Sequence, residues 1–306
     1  MGFNAIHFEE LSMSIISEEP PVDLFPALLS SAQCGDVGEV ARLLALGGDP
    51  KRFNSVLLQR AARNGHVACV ELLIPISEPK ADNSGSLWRA AENGHADCVK
   101  LLIPALEPKD ADSKALRRAA ENGQAECVRL LIPVSDPCDN HSEALRSAAE
   151  NGHAECVKLL IPVSQPAALS FDALRQAASN GHAECVRLLI PVSNPKNCNS
   201  QSLRFAAGNG HAECVKLLIP ASDPLIQLPQ IFHQALSAGH AEVAAVLLDC
   251  EPLLLEGVDL SAQLYYARCH GHSGLADFLS SIIDRRVLCE SSASVPALGR
   301  VGAARL

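Results

Sequence analysis

The chain has 306 residues, a formal net charge of −10 and only 4% aromatic residues. That acidic balance excludes a protein that grips nucleic acid by neutralising phosphates, and no apolar run reaches the roughly 18 residues a membrane span needs. No basic segment precedes an apolar stretch at the start, so no secretory signal is expected, and the twelve cysteines read as reduced thiols of a cytoplasmic protein.

Residues 1–22 hold Glu9, Glu10, Glu18 and Glu19 without a lysine or arginine, and a flexible acidic tail is expected there. From Asp23 a period takes over. Gly65, Gly94, Gly123, Gly152, Gly181, Gly210 and Gly239 each stand 29 residues after the last, while Gly35 precedes them by 30 and Gly271 follows by 32. Self-similarity at such a period marks a repeat architecture, here nine units over residues 23–286.

Each unit reads as two short helices. Serine stands ten residues before the glycine in six units (Ser55, Ser84, Ser113, Ser142, Ser200, Ser261), where an N-cap hydroxyl is expected. Helix one follows and carries a leucine or phenylalanine seven before the glycine and an alanine pair in most units. The glycine ends it in a left-handed conformation. Helix two is "HAECVKLLI", with an apolar face of Cys156, Val157, Leu159, Leu160 and Ile161. Two prolines four apart, such as Pro162 and Pro166, then predict a stiff extended loop. Eight-residue helices cannot bury their apolar faces alone, whereas stacked pairs can, so the fold class is all-α and solenoid-like. Residues 233–286 lose the proline loop and the alanine pair and read as capping repeats, and a disordered tail is expected over 287–306.

The stretch "ALRSAAENGHAECVKLLI" resembles the ankyrin repeat: Ala148, Ala149, Gly152, His153, Val157, Leu159 and Leu160 stand where that pattern has its alanines, its Gly-His turn and its helix-two apolar residues. The first unit's "LGGDPKR" is also similar to the family's post-helix loop. Two departures stand out. The period is shorter than the family's 33, which removes the segment that normally forms a projecting hairpin, and Arg117, Arg146, Arg175 and Arg204 replace the family's histidine in helix one. TPR and HEAT-type repeats are the runner-up folds, but their units are longer and lack the Gly-His turn. The resemblance implies a non-catalytic scaffold that binds another protein, with no cofactor and no enzyme activity.

Three ladders compete as carriers of chemistry. Cysteines stand four after the glycine (Cys69, Cys98, Cys127, Cys156, Cys185, Cys214), but equivalent positions one helix spacing apart are too far for disulfides and cannot enclose a tetrahedral zinc. Val243 takes the place in the eighth unit, so a packing role and no metal site are expected. Histidines follow the glycine in seven units, with Gln124 in one; glutamine keeps hydrogen bonding but not acid–base chemistry. The variable positions lie six and five before the glycine. Arg60, Trp88, Arg89, Arg117, Arg118, Arg146, Arg175, Arg204 and Phe205 are therefore the candidate partner-binding residues, a basic and aromatic stripe suited to an acidic segment. Intrahelix pairs Arg146–Glu150 and Arg117–Glu121 are the bland account of part of that charge. No catalytic residue is assigned, a monomer without nucleic-acid or membrane partners is expected, and the alternatives are an exported, host-directed effector and a His/Cys metal protein.

Overall fold

In the computed structural model, residues 23–79, 84–106, 108–165, 168–195, 197–222, 228–256 and 258–293 are described. The expected acidic tail, residues 1–22, and the last part of the expected C-terminal tail, residues 294–306, lie outside them. Among the described residues there is no strand, and eighteen α-helices form nine helix-turn-helix pairs. In chain order they are α1 (Phe25–Cys34) with α2 (Val37–Ala45), α3 (Arg52–Arg63) with α4 (Val67–Leu73), α5 (Gly85–Glu92) with α6 (Ala96–Leu102), α7 (Asp110–Glu121) with α8 (Ala125–Leu131), and α9 (Asp139–Glu150) with α10 (Ala154–Leu160). Next come α11 (Ala168–Ser179) with α12 (Ala183–Leu189), α13 (Asn197–Gly208) with α14 (Ala212–Leu218), α15 (Leu228–Ser237) with α16 (Ala241–Cys250), and α17 (Leu260–Cys269) with α18 (Ser273–Ala293).

The pairs fall into two compact units, the first built on α1–α7 and the second on α9–α18, with the boundary running through the end of α7 and through α8. The sequence predicts one body over residues 23–286. A repeat array packs each pair only against its neighbours, so it has no single core to gather all pairs. Within the first unit α1, α3 and α5 form one layer and α2, α4 and α6 the other; within the second, α9, α11, α13 and α15 stack against one another, as do α10, α12, α14 and α16.

One pair shows why these residues build this shape. In α9 and α10 the buried residues are Leu145, Ala148 and Ala149 from the first helix and Cys156, Val157 and Leu160 from the second. Burying a leucine fully is worth about 1.5–3 kcal/mol, and the alanine pair keeps the helices close enough to do so. Leu159 and Ile161, expected in the same face, are only half-buried. The turn between the helices is a Schellman motif: the His153 N–H donates to the Ala148 carbonyl at 2.9 Å and the Gly152 N–H to Ala149 at 3.4 Å. The seven register glycines hold φ between 72° and 82°.

Three local expectations need correction. Ser55, Ser84 and Ser142, ten before the glycine, do not cap helix one through their hydroxyls. Ser55, Ser84, Ser113, Ser142 and Ser200 are buried with φ between 52° and 59°. The Ser55 hydroxyl accepts the Glu78 N–H, and Ser142 accepts that of Gln165, both at 2.9 Å. They clamp the segment leaving helix two, whose orphan N–H needs an acceptor. Before α17 the cap is Asp259, which accepts from Ser261 and Ala262, and Ser261 does not fill that role. The loop after helix two is not extended throughout either. Ile103–Ala105, Ile161–Val163, Ile190–Val192 and Ile219–Ala221 form 3-10 turns with proline at their centre, and the backbone extends only at the next residue. Proline fits there because the first turn of a helix leaves its N–H unused. Finally, α18 continues past Arg286 to Ala293.

Candidate functional site

The repeated histidines tie each pair to the one before it. Nε2 of His66, His95, His153, His182, His211 and His240 lies 2.8–3.0 Å from the carbonyl oxygens of Gln33, Arg63, Glu121, Glu150, Ser179 and Gly208 respectively. A carbonyl only accepts, so each ring carries its proton on Nε2 and donates. Asn64, Asn180 and Asn209 add a second donor to three of those carbonyls. The cysteine ladder is equally committed to packing. Cys69, Cys98, Cys127, Cys156, Cys185 and Cys214 are buried, and burial pushes the thiols of Cys98, Cys156, Cys185 and Cys214 up to about 11. Among the described residues no three histidine, cysteine or acidic side chains are gathered as a metal site would need.

The helix-one candidates divide into two groups. In the first unit Arg60 is half-buried on α3, and Trp88 and Arg89 are half-buried on α5. The Arg89 guanidinium lies 4.2 Å from the Trp88 ring centroid and also donates to the Gly85 carbonyl at 3.1 Å. The Lys114 ammonium, from α7, lies 4.0 Å from the same ring. Contacts of this kind contribute about 0.5–1 kcal/mol each at a partly exposed site. Arg117 and Arg118 complete the group on α7, both half-buried. Burial holds the Lys114 ammonium below its ordinary range, and the charges of Arg118, Arg89 and Arg117 push the same way against Glu92 alone.

In the second unit the arginines meet a counter-ion. Asp172, buried on α11, pairs with Arg146 of α9 at 3.3 Å and with Arg175 one turn further along its own helix. Arg146 thus reaches the neighbouring repeat, whereas the sequence pairs it with Glu150. The Arg175 guanidinium in turn lies 5.7 Å from the Phe205 ring centroid. Arg204 and Phe205 are exposed, Phe205 at 38%. A shallow hollow beside them is lined by Arg204, Gln230, Ile231 and Gln234. A separate apolar pocket under the last repeats is lined by Ala245, Leu248, Leu255, Phe278 and Ile282, with Asp249, Arg285 and Arg286 at its edge.

Lys114 and Asp172 are the residues that sequence reasoning missed. Both stand nine before the register glycine, a series that runs Val56, Gly85, Lys114, Glu143, Asp172 and Gln201. On a helix, positions three apart share a face. Position nine therefore sets the charge beside position six, and the signal was present in the spacing.

In sequence, a family model described as ankyrin repeats (three copies) matches residues 28–114, 87–172 and 167–228. No curated protein matches. Among solved structures the chain is similar to the human ASB11 ankyrin repeat domain, at 22% identity over 57% of this chain and 95% of that one, with a TM-score of 0.48.

Proposed function

Since the chain belongs to the ankyrin-repeat family, whose repeats are in general protein-interaction scaffolds, we propose that it is a non-catalytic scaffold that holds a partner protein against its helix-one face. One observation carries the reading. On successive first helices the framework positions repeat and are buried, such as Leu145, Ala148 and Ala149, whereas the positions six and five before the glycine are half-buried or exposed; position five changes at most steps, and position six, arginine in four consecutive repeats, is Gln59, Trp88, His233 or Tyr265 in others. They read Trp88–Arg89, Arg117–Arg118, Arg146–Ser147, Arg175–Gln176 and Arg204–Phe205. Aromatic and arginine side chains are the types that dominate binding energy at interfaces. With the inter-repeat segments shortened, this face replaces projecting hairpins as the variable surface. The outer face of helix two does not vary in the same way: Glu155/Lys158 and Glu184/Arg187 repeat as exposed ion pairs, which contribute little energy.

Site-specific photo-crosslinking tests the reading. A photoreactive residue at Arg204 or Phe205 is expected to trap a partner chain inside the cell, while one at Glu155 or Lys158 is not. Cross-links from helix two alone, or from neither face, would overturn it.

A further inference from the structure

The four arginines six before the register glycine differ in the acids around them. Asp172 shows two places from which position nine can meet such an arginine: from its own helix, as it meets Arg175, and from the next repeat, as it meets Arg146. For Arg117 those places hold Lys114 and Glu143, for Arg146 Glu143 and Asp172, and for Arg175 Asp172 and Gln201. Arg204 alone has an amide at both, Gln201 and Gln230. A third place, four residues on along the same helix, reads Glu121, Glu150, Ser179 and, for Arg204, Gly208. Asp172 is the single carboxylate on α11, α13 and α15, and the acids of α12, α14 and α16 belong to the other layer. Arg204 is exposed, and no ion pair joins it among the described residues. We propose that the hollow lined by Arg204, Gln230, Ile231 and Gln234 receives an aspartate or glutamate side chain of the partner, as Asp172 receives Arg146 two repeats earlier. The inference rests on the scaffold reading above and narrows it to a site and a partner chemistry.

The hollow has the size and the lining for one side chain. Its volume is about 220 Å³, below the roughly 300–1,000 Å³ of small-molecule sites. Ile231, only 1% exposed, gives it an apolar wall against which the methylene groups of an acid can rest. Gln234 leans from α15 onto α13: a β-carbon on Gly208 would stand 2.5 Å from its Nε2. Gly208 thus leaves room for that amide one turn from Arg204, and an amide N–H can donate to a carboxylate that the guanidinium already holds. A guanidinium binds a carboxylate through two parallel N–H donors, a geometry that gives direction as well as energy. The chain itself supplies the precedent, because the group that meets Arg146 and Arg175 is a carboxylate.

Two measurements on the full chain test it. Gln230→Asp supplies the carboxylate from within, so the unfolding midpoint is expected to rise by about 1–3 °C, and not to rise when Arg204→Gln is also present. The probe of partner chemistry is a phage-displayed library of random peptides selected on the immobilised wild-type chain. Selected peptides are expected to carry an aspartate or glutamate whose change to the amide weakens binding about tenfold. Arg204→Gln and Gln230→Asp should each remove that dependence, with circular dichroism showing that both variants are folded, and inorganic phosphate at matched concentration should not displace the peptides. No rise with Gln230→Asp, a rise that survives Arg204→Gln, selected peptides indifferent to the amide change or to Arg204→Gln, or displacement by phosphate overturns the inference. Cross-links from Phe205 that Gln230→Asp leaves undiminished sink this inference alone; carboxylate-dependent peptides without any cross-link in the cell sink the scaffold reading instead.

Discussion

The imidazole of His182 lies against Gly152 of the preceding repeat, so close that a β-carbon on that glycine would stand 2.5 Å from Nδ1. Gly152 therefore answers two demands at once: a φ of 78° that ends α9, and an empty space for the ring that locks the next repeat. Gly271 has a similar φ of 74° but nothing within 4 Å. Gly152→Ala is expected to cost about 2–4 kcal/mol, strain plus clash, and Gly271→Ala only about 1 kcal/mol. Urea denaturation of the two variants checks this, and equal losses would mean that the histidine contact contributes nothing.

Asp172 serves two arginines that are themselves partly buried. Removing the acid leaves both cations without it, whereas removing Arg146 leaves the second pair intact. Asp172→Asn is expected to destabilise by about 1–3 kcal/mol, and Arg146→Gln by less than about 1 kcal/mol, since partial exposure screens each pair. The order of the two unfolding midpoints is the measurement, and a reversed order contradicts the shared-acid geometry.

Thiol labelling separates packing from reactivity. Cys34, Cys250 and Cys269 are exposed, whereas the ladder thiols are buried, with Cys98, Cys156, Cys185 and Cys214 raised to about 11. At neutral pH an alkylating reagent should modify the exposed three within minutes and the ladder only after denaturant is added, because the thiolate is the reacting species. Cys156→Val, which copies Val243 of the eighth unit, should cost less than about 1.5 kcal/mol. Mass spectrometry of the native protein reads the first outcome and thermal melting the second.

Lys114 offers a test of the first unit's electrostatics without any ligand. A lowered pKa leaves more neutral amine at a given pH, so acylation of Lys114 should accelerate in Glu92→Gln, which removes the opposing acid, and slow in Arg118→Gln. The sign for stability follows from linkage. The unfolded chain holds that proton more tightly, so the native state gains stability as pH rises through the window from the lowered value to 10.5. Peptide mapping after brief acylation gives the rates, and identical rates in the three proteins would show that the arginines do not act on this lysine.

Much of the fold was legible because the period is a direct record of its physics. A glycine every 29 residues, an alanine pair and a seven-before leucine specify two helices, a left-handed turn and a closely packed seam without knowledge of anything distant. The packing roles of the cysteines and histidines followed from the same record, because Val243 and Gln124 are substitutions that packing and hydrogen bonding accept. What the local pattern misled on were groups whose partners lie in other segments. Serine looks like a cap in isolation, yet Ser55 and Ser142 answer to N–H groups 23 residues on.

The sequence by itself determined the repeat, the all-α class, the buried and variable positions, and the family to which the chain belongs. Only the tertiary structure decided what the variable positions amount to. A count of arginines along helix one predicts an even basic stripe, because charge read residue by residue has no partners. Stacking brings Asp172 of one repeat to Arg146 of its neighbour and offsets part of that charge. Elsewhere it brings Lys114 to Trp88 and adds to it. Coulomb interactions act over a few ångströms of space regardless of how far apart the groups lie in the chain, and packing alone sets those distances.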